Sequence, residues 1–158
     1  RTIARLSEYG ATFATIHGNQ ALMEKASENK NNLKILAVTA LTSLDRGDLD
    51  DLGFECNVKD LVISRAKRAF EAGCDGIVSS GLEVPFIREY VDNKLICVTP
   101  GIRPVANNDD QKRVVDVATA FISGSDYIVV GRPIKNSKNR YEAASNIQNI
   151  IKNTFESV

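Results

Sequence analysis

The chain has no tryptophan, one methionine and one histidine, His17. A single histidine excludes a multi-histidine metal site within these residues. Lys and Arg number 20, as do Asp and Glu, so the formal net charge is zero. The basic residues are scattered along the chain. That balance argues against a dedicated nucleic-acid binder, which needs clustered cations to hold a phosphate backbone. No apolar run approaches the ~18 residues needed to cross a bilayer, and no basic-then-apolar leader opens the chain, so neither membrane insertion nor export is expected. The three cysteines, Cys56, Cys74 and Cys97, are odd in number and widely spaced, with no C-x-x-C pair. They read as reduced, mostly buried thiols of a cytoplasmic protein.

What remains is ordinary globular material. Hydrophobic residues make up 43% and charged residues 25% of 158, enough for a single domain over 1–158 with a core of its own. Short apolar runs at 12–16, 34–38, 76–79, 95–98 and 127–130 are rich in Val and Ile and bounded by turn or helix signals. Such runs suit parallel strands buried on both faces. Between them lie helical patterns. Residues 58–72 place Val58, Leu61, Val62, Ala66, Ala69 and Phe70 on one stripe, and Gly73 follows as a C-cap would. A last helix from about Arg140 carries Ala143, Ile147, Ile150, Ile151 and Phe155. Weaker patterns cover 19–28 and 82–90, and residues 2–9 read as a helix stopped by Gly10.

Alternating strands and helices imply a parallel sheet with right-handed crossovers. An open doubly wound sheet and a (β/α)8 barrel both fit, but no Gly-rich dinucleotide fingerprint follows a strand, which weakens the first. Five strand–helix units at roughly 30 residues each scale to roughly 240 residues for eight, the usual size of a barrel. The expected fold is therefore α/β, a (β/α)8 TIM barrel of which this chain carries about the last five units. About three units are expected ahead of Arg1.

Barrel chemistry gathers at the C-terminal ends of strands. After the second run comes Thr39-Ala40-Leu41-Thr42-Ser43, three hydroxyls that either meet a polar ligand edge or cap the turn. After the fourth comes Thr99-Pro100-Gly101-Ile102-Arg103-Pro104, a shaped turn presenting a guanidinium fork suited to phosphate or carboxylate. The polar stretch Asn107-Asn108-Asp109-Asp110-Gln111-Lys112-Arg113 follows, usually solvated surface, though long enough for a flap. After the fifth comes Gly131-Arg132-Pro133. If these are barrel strands seven and eight, two arginines and a glycine turn converge where barrels commonly bind phosphate. His17 ends the first run and reads more readily as a hydrogen-bonded structural residue than as part of the mouth. Ser79, Ser80 and Glu83 end the third and are plausible mouth lining. Asp45, Asp48, Asp50 and Asp51 read as a solvated helix start rather than a metal site.

The blocks Val98-Thr99-Pro100-Gly101-Ile102-Arg103-Pro104, Asp110-Gln111-Lys112-Arg113 and Val130-Gly131-Arg132-Pro133 together resemble the orotidine 5′-phosphate decarboxylases of bacterial type. Ala37-Val38-Thr39-Ala40-Leu41-Thr42-Ser43, Asp75-Gly76-Ile77-Val78-Ser79-Ser80 and Ala72-Gly73 support the likeness, in family order and over nearly the whole chain. The resemblance implies a TIM-barrel lyase of de novo pyrimidine (UMP) biosynthesis. It would convert orotidine 5′-phosphate to uridine 5′-phosphate and carbon dioxide without metal or organic cofactor, as a cytoplasmic homodimer. It implies that Arg132 and Gln111 hold the phosphate beside the Gly131 backbone. Pro100 and Arg103 would join the same binding set, and Thr42 would meet the pyrimidine ring.

The family's proton-transfer motif, D-x-K-x-x-D, is not found. Asp110-Gln111-Lys112 begins correctly, but Val115 stands where the second Asp should be. No catalytic residue is therefore expected in this chain, which by itself is expected to be inactive. The alternatives are a related phosphosugar decarboxylase or isomerase on the same barrel, and a non-catalytic phosphate-binding module.

Overall fold

A computed structural model describes residues 1–103 and 112–156. Its elements are α1 (Thr2–Glu8), β1 (Phe13–His17), α2 (Gln20–Glu28), β2 (Lys34–Val38), α3 (Arg46–Asp51), α4 (Val58–Glu71), β3 (Gly76–Val78), α5 (Val84–Tyr90), β4 (Ile96–Thr99), α6 (Val117–Ile122), β5 (Tyr127–Ile128), α7 (Arg132–Lys135) and α8 (Arg140–Glu156). All five expected strands are present, within one or two residues of the runs that mark them. Three short helices are not marked by the sequence pattern. α3 and α6 are only six residues each, and α7 only four, too short for a 3.6-residue periodicity to show.

The strands form one parallel sheet in the order β1-β2-β3-β4-β5. An open doubly wound sheet reverses its strand order at a switch point, whereas a barrel adds each strand beside the last. The sequential order decides for the barrel. A contact between the two edge strands shows the curl directly. The Phe13 ring of β1 meets the Tyr127 ring of β5 edge-on, with centroids 5.3 Å apart. First and fifth strands touch side chain to side chain only if the sheet bends round a common axis.

The convex face carries the main core. Ile35, Ala37, Ile77 and Cys97 point outward from the strands onto Met23, Val62, Ala66, Ala69 and Ile87 of the helices. Each fully buried aliphatic side chain there contributes roughly 1.5–3 kcal/mol. A second cluster, Ile102, Val115, Val117, Ala120 and Ile147, seats α6 and α8. The concave face departs from the expectation of strands buried on both sides. Thr15, His17 and Lys34 are exposed, as are Tyr127 and Val129, because five strands enclose only part of a barrel's interior. At the middle of this face Gly76 is obligatory. A Cβ there would stand 2.4 Å from the Ile96 carbonyl oxygen and 2.7 Å from Leu36 Cδ2.

At the N-terminal end of the sheet, two aspartates repeat one device. Asp75 Oδ2 accepts from Ile35 N (2.9 Å) and Lys30 Nζ (2.8 Å). Asp126 Oδ2 accepts from Cys97 N (2.7 Å) and Arg88 Nη2 (2.8 Å). Each carboxylate satisfies an N–H of the preceding strand. Its cation also reaches a carbonyl just past a helix end, Lys30 to Gly73 and Arg88 to Gly124.

Candidate active site

The opposite end of the sheet gathers the residues singled out above. The loop after β2 starts with Thr39, whose N–H and hydroxyl both donate to Val78 O at 3.1 and 2.9 Å. Thr39 is thus spent on holding β3, not on a ligand. Thr42 is buried at the far end of the same loop. Its carbonyl accepts from Lys112 N and Arg113 N, both at 3.2 Å. This brings the β2 loop against the segment that follows β4.

The turn after β4 forms as Pro100 and Gly101 require. Gly101 has φ +74°, a conformation costly for any side chain. A Cβ there would also come within 3.0 Å of Arg113 O and 3.5 Å of Thr42 Cγ2. Beyond it Ile102 bridges to Val115, and Arg103 N donates to Val115 O (3.0 Å). Arg103 is buried, with Nη1 donating to Ile102 O at 2.8 Å. Beneath the turn the buried hydroxyls of Thr99 and Ser125 share a 2.7 Å hydrogen bond that ties β4 to the start of β5. Gln111 lies outside the described residues.

Gly131 and Arg132 end β5 differently. Gly131 is exposed, and a Cβ on it would meet nothing within 4 Å. It serves as N-cap of α7, and Arg132, half-buried, is the first residue of that turn. The structure therefore places Thr42, Pro100, Arg103, Gly131 and Arg132 at one end of the sheet, and joins the first three in one cluster of loops. His17 is exposed at the end of β1. With Gly18, Thr39, Leu41 and Arg65 it lines a cleft of about 300 Å³.

Two residues carry more than the sequence suggested. Arg113, expected on the solvated stretch, is buried at 8% exposure. Its Nη2 donates to Leu41 O (2.8 Å) and Ala40 O (3.3 Å), and its Nε to Leu44 O (3.2 Å). Nη1 lies 2.7 Å from Glu83 Oε1, a charge contact whose angle falls short of a hydrogen bond. Glu83, expected to line the mouth, is buried as its partner. A charge next to a polar run gives no signal of this kind. The carbonyl partners of Arg113 lie 69 to 73 residues earlier in the chain.

Next to it, Lys112 pairs with Asp45 (2.7 Å) and Asp48 (2.8 Å). These two acids form the capping box that starts α3, as the reading of a helix start implied. The hydrogen bond from Lys112, with one from the Asp48 backbone, pulls the Asp45 carboxyl down to about 2. The same two acids raise Lys112 above the ordinary lysine value. Both partners are solvent-exposed, so the pair is screened and its net stabilisation small. Among the described residues no group of three or more His, Cys, Asp or Glu is arranged to hold a metal ion.

A curled parallel sheet in sequential order, with its polar loops gathered at the strand C-termini, defines part of a (β/α)8 barrel. A family model described as "Orotidine 5'-phosphate decarboxylase / HUMPS family" matches residues 1–147, and the chain belongs to that family. It is 59% identical over 157 residues to the orotidine 5′-phosphate decarboxylase of Methylococcus capsulatus, covering 98% of this chain and 65% of that protein. It is 45% identical over 150 residues to the enzyme of that name from Nitrobacter winogradskyi, covering 93% of this chain and 62% of the relative. The chain thus spans slightly less than two thirds of the length of these curated relatives.

Among solved structures, orotidine 5′-phosphate decarboxylase from Lactobacillus acidophilus superposes with a TM-score of 0.78 at 30% identity, over 94% of this chain and 67% of that one. The enzyme of that name from Pyrococcus horikoshii OT3 gives 0.67 at 24% identity, over 96% and 66%; this match supports the fold alone.

Proposed function

We propose that this chain supplies the phosphate- and pyrimidine-holding loops of an orotidine 5′-phosphate decarboxylase, which releases carbon dioxide and uridine 5′-phosphate. The observation that carries the reading is 59% identity over 157 residues to a protein of that name. The loops it would need occupy the C-terminal strand ends. Arg132 and the Gly131 backbone take the phosphate, together with Gln111. Arg103 and Pro100 shape the adjoining wall, and Thr42 meets the ring. Arg132 suits this role because its planar fork can bind two phosphate oxygens at once.

The reaction itself needs a carboxylate that disfavours the substrate carboxylate and a lysine ammonium that protonates the carbon losing carbon dioxide. The carbanion-like transition state is stabilised electrostatically. These groups belong to the D-x-K-x-x-D motif, which this chain lacks. Binding energy at the remote phosphate still contributes to rate when it organises the reacting end. The working protein is a cytoplasmic homodimer with no metal or organic cofactor.

The test is decarboxylation of orotidine 5′-phosphate by the whole source protein, followed by ultraviolet absorbance. Turnover supports the reading. Turnover of a phosphosugar instead would make the protein a phosphosugar decarboxylase or isomerase on the same barrel, against the Thr99–Arg103 turn. A monomeric mass in light scattering at micromolar protein would remove the dimer.

A further inference from the structure

Arg113 and Glu83 are both nearly out of water, with side chains 9% and 7% exposed. Removing two charges from solvent is costly, and an apolar pair would fill the same space without that penalty. The compensation lies in what the guanidinium holds. Its carbonyl partners Ala40, Leu41 and Leu44 flank Thr42 on both sides. The main chain of Arg113 completes the link. Its N–H donates to Thr42 O (3.2 Å), and its carbonyl accepts from Ser80 Oγ (3.3 Å). That carbonyl also stands 3.0 Å from where a Gly101 Cβ would be. One residue therefore touches the loops after β2, β3 and β4.

We propose that the buried Arg113–Glu83 pair is a positioning device for the substrate site, holding the Thr42 loop and the Pro100–Arg103 turn in fixed relation. It rests on the decarboxylase reading above. Arg113 does not touch substrate in this proposal. Nε and Nη2 donate to main-chain carbonyls, and Nη1 faces Glu83. A lysine could keep the charge opposite Glu83. It has no planar fork, so it cannot reach the three carbonyls together.

The test uses the whole source protein carrying Arg113→Lys, Glu83→Gln, or the double change Arg113→Met with Glu83→Gln. The double variant leaves no unpaired buried charge, so it keeps the question open to measurement if a single variant fails to fold. Three quantities are read on each folded variant: kcat and KM for orotidine 5′-phosphate, affinity for uridine 5′-phosphate, and inhibition by inorganic phosphate.

A misplacement of order 1 Å at a site costs about 100-fold in rate. The expected result for Arg113→Lys and the double variant is a loss of that size in kcat/KM, with weaker uridine 5′-phosphate binding. Inhibition by inorganic phosphate, held at Gly131 and Arg132, stays as in the wild type. A folded Arg113→Lys or double variant with wild-type kcat/KM and nucleotide affinity overturns the proposal. So does an equal loss of nucleotide and inorganic phosphate binding, which would report general damage. Wild-type protein that neither turns over orotidine 5′-phosphate nor binds uridine 5′-phosphate overturns the functional reading itself, and this proposal with it.

Discussion

Cations reach loop carbonyls at both ends of the sheet, Lys30 and Arg88 at one, Arg65 and Arg113 at the other, but the carboxylates differ. At the N-terminal end the strands present N–H groups, and carboxylates take them: Asp75 on Ile35 N, Asp126 on Cys97 N. At the C-terminal end the strands and their loops present carbonyls, and guanidinium groups take those. Arg113 binds Ala40, Leu41 and Leu44, and Arg65 binds Thr39. The lesson concerns function. The C-terminal end, whose loops carry Arg103 and Arg132, is the end at which barrels place function. The other end closes on itself and serves stability.

The sharpest way to break the comparison is Arg132→Ala in the whole protein. Losing a charged fork from a phosphate should cost on the order of 2–4 kcal/mol, or roughly 30- to 1,000-fold in kcat/KM. The denaturation midpoint should hardly move. An unchanged kcat/KM would remove Arg132 from the site. The mirror experiment at the opposite end is Asp75→Ala, which leaves Ile35 N without its acceptor. About 1–2 kcal/mol of stability should be lost in urea denaturation, with kcat/KM unchanged. Altered kinetics there would show that the two ends are not separate.

A smaller effect concerns Asp45. Its carboxyl is drawn from the ordinary value of 3.8 down to about 2. A group whose folded pKa is depressed stabilises the fold above its unfolded value, and that contribution is lost as pH falls through the folded value. The Asp45 contribution should therefore be intact above pH 4 or so and fade toward about 2. Followed by carbon-detected NMR titration, the Asp45 midpoint should return toward the ordinary carboxylate range in Lys112→Gln. A midpoint that stays low would assign the shift to the Asp48 backbone bond instead.

The smallest change is a labelling pattern. Burial pushes the Cys97 thiol up to about 11 and raises Cys74 as well. Cys56 is half-exposed. Iodoacetamide at pH 8 should modify Cys56 first, and mass mapping that found Cys97 modified first would show the core of the sheet to be open.

Much of this was legible along the chain. The short apolar runs marked each of the five described strands, since a strand buried against helices must be apolar whatever its neighbours are. Gly73 and Gly101 marked turns, and both adopt positive φ, which a glycine tolerates and other residues resist. Asp45 announced a helix start and caps α3. The six-residue α6 and four-residue α7 were not legible, because so few residues make no stripe. Nor was the open concave face, because apolar periodicity reports that a strand has neighbours, not how many enclose it.

Sequence alone therefore determined the alternation of elements, the sites of the turns and the family likeness, all of which rest on local backbone preference or on order along the chain. Only the tertiary structure decided that the sheet curls until Phe13 meets Tyr127. It also decided that Arg113 lies inside the protein and not on its surface. A guanidinium is buried only where carbonyls and a carboxylate meet it, and here two other loops, far away in sequence, must come together to provide them.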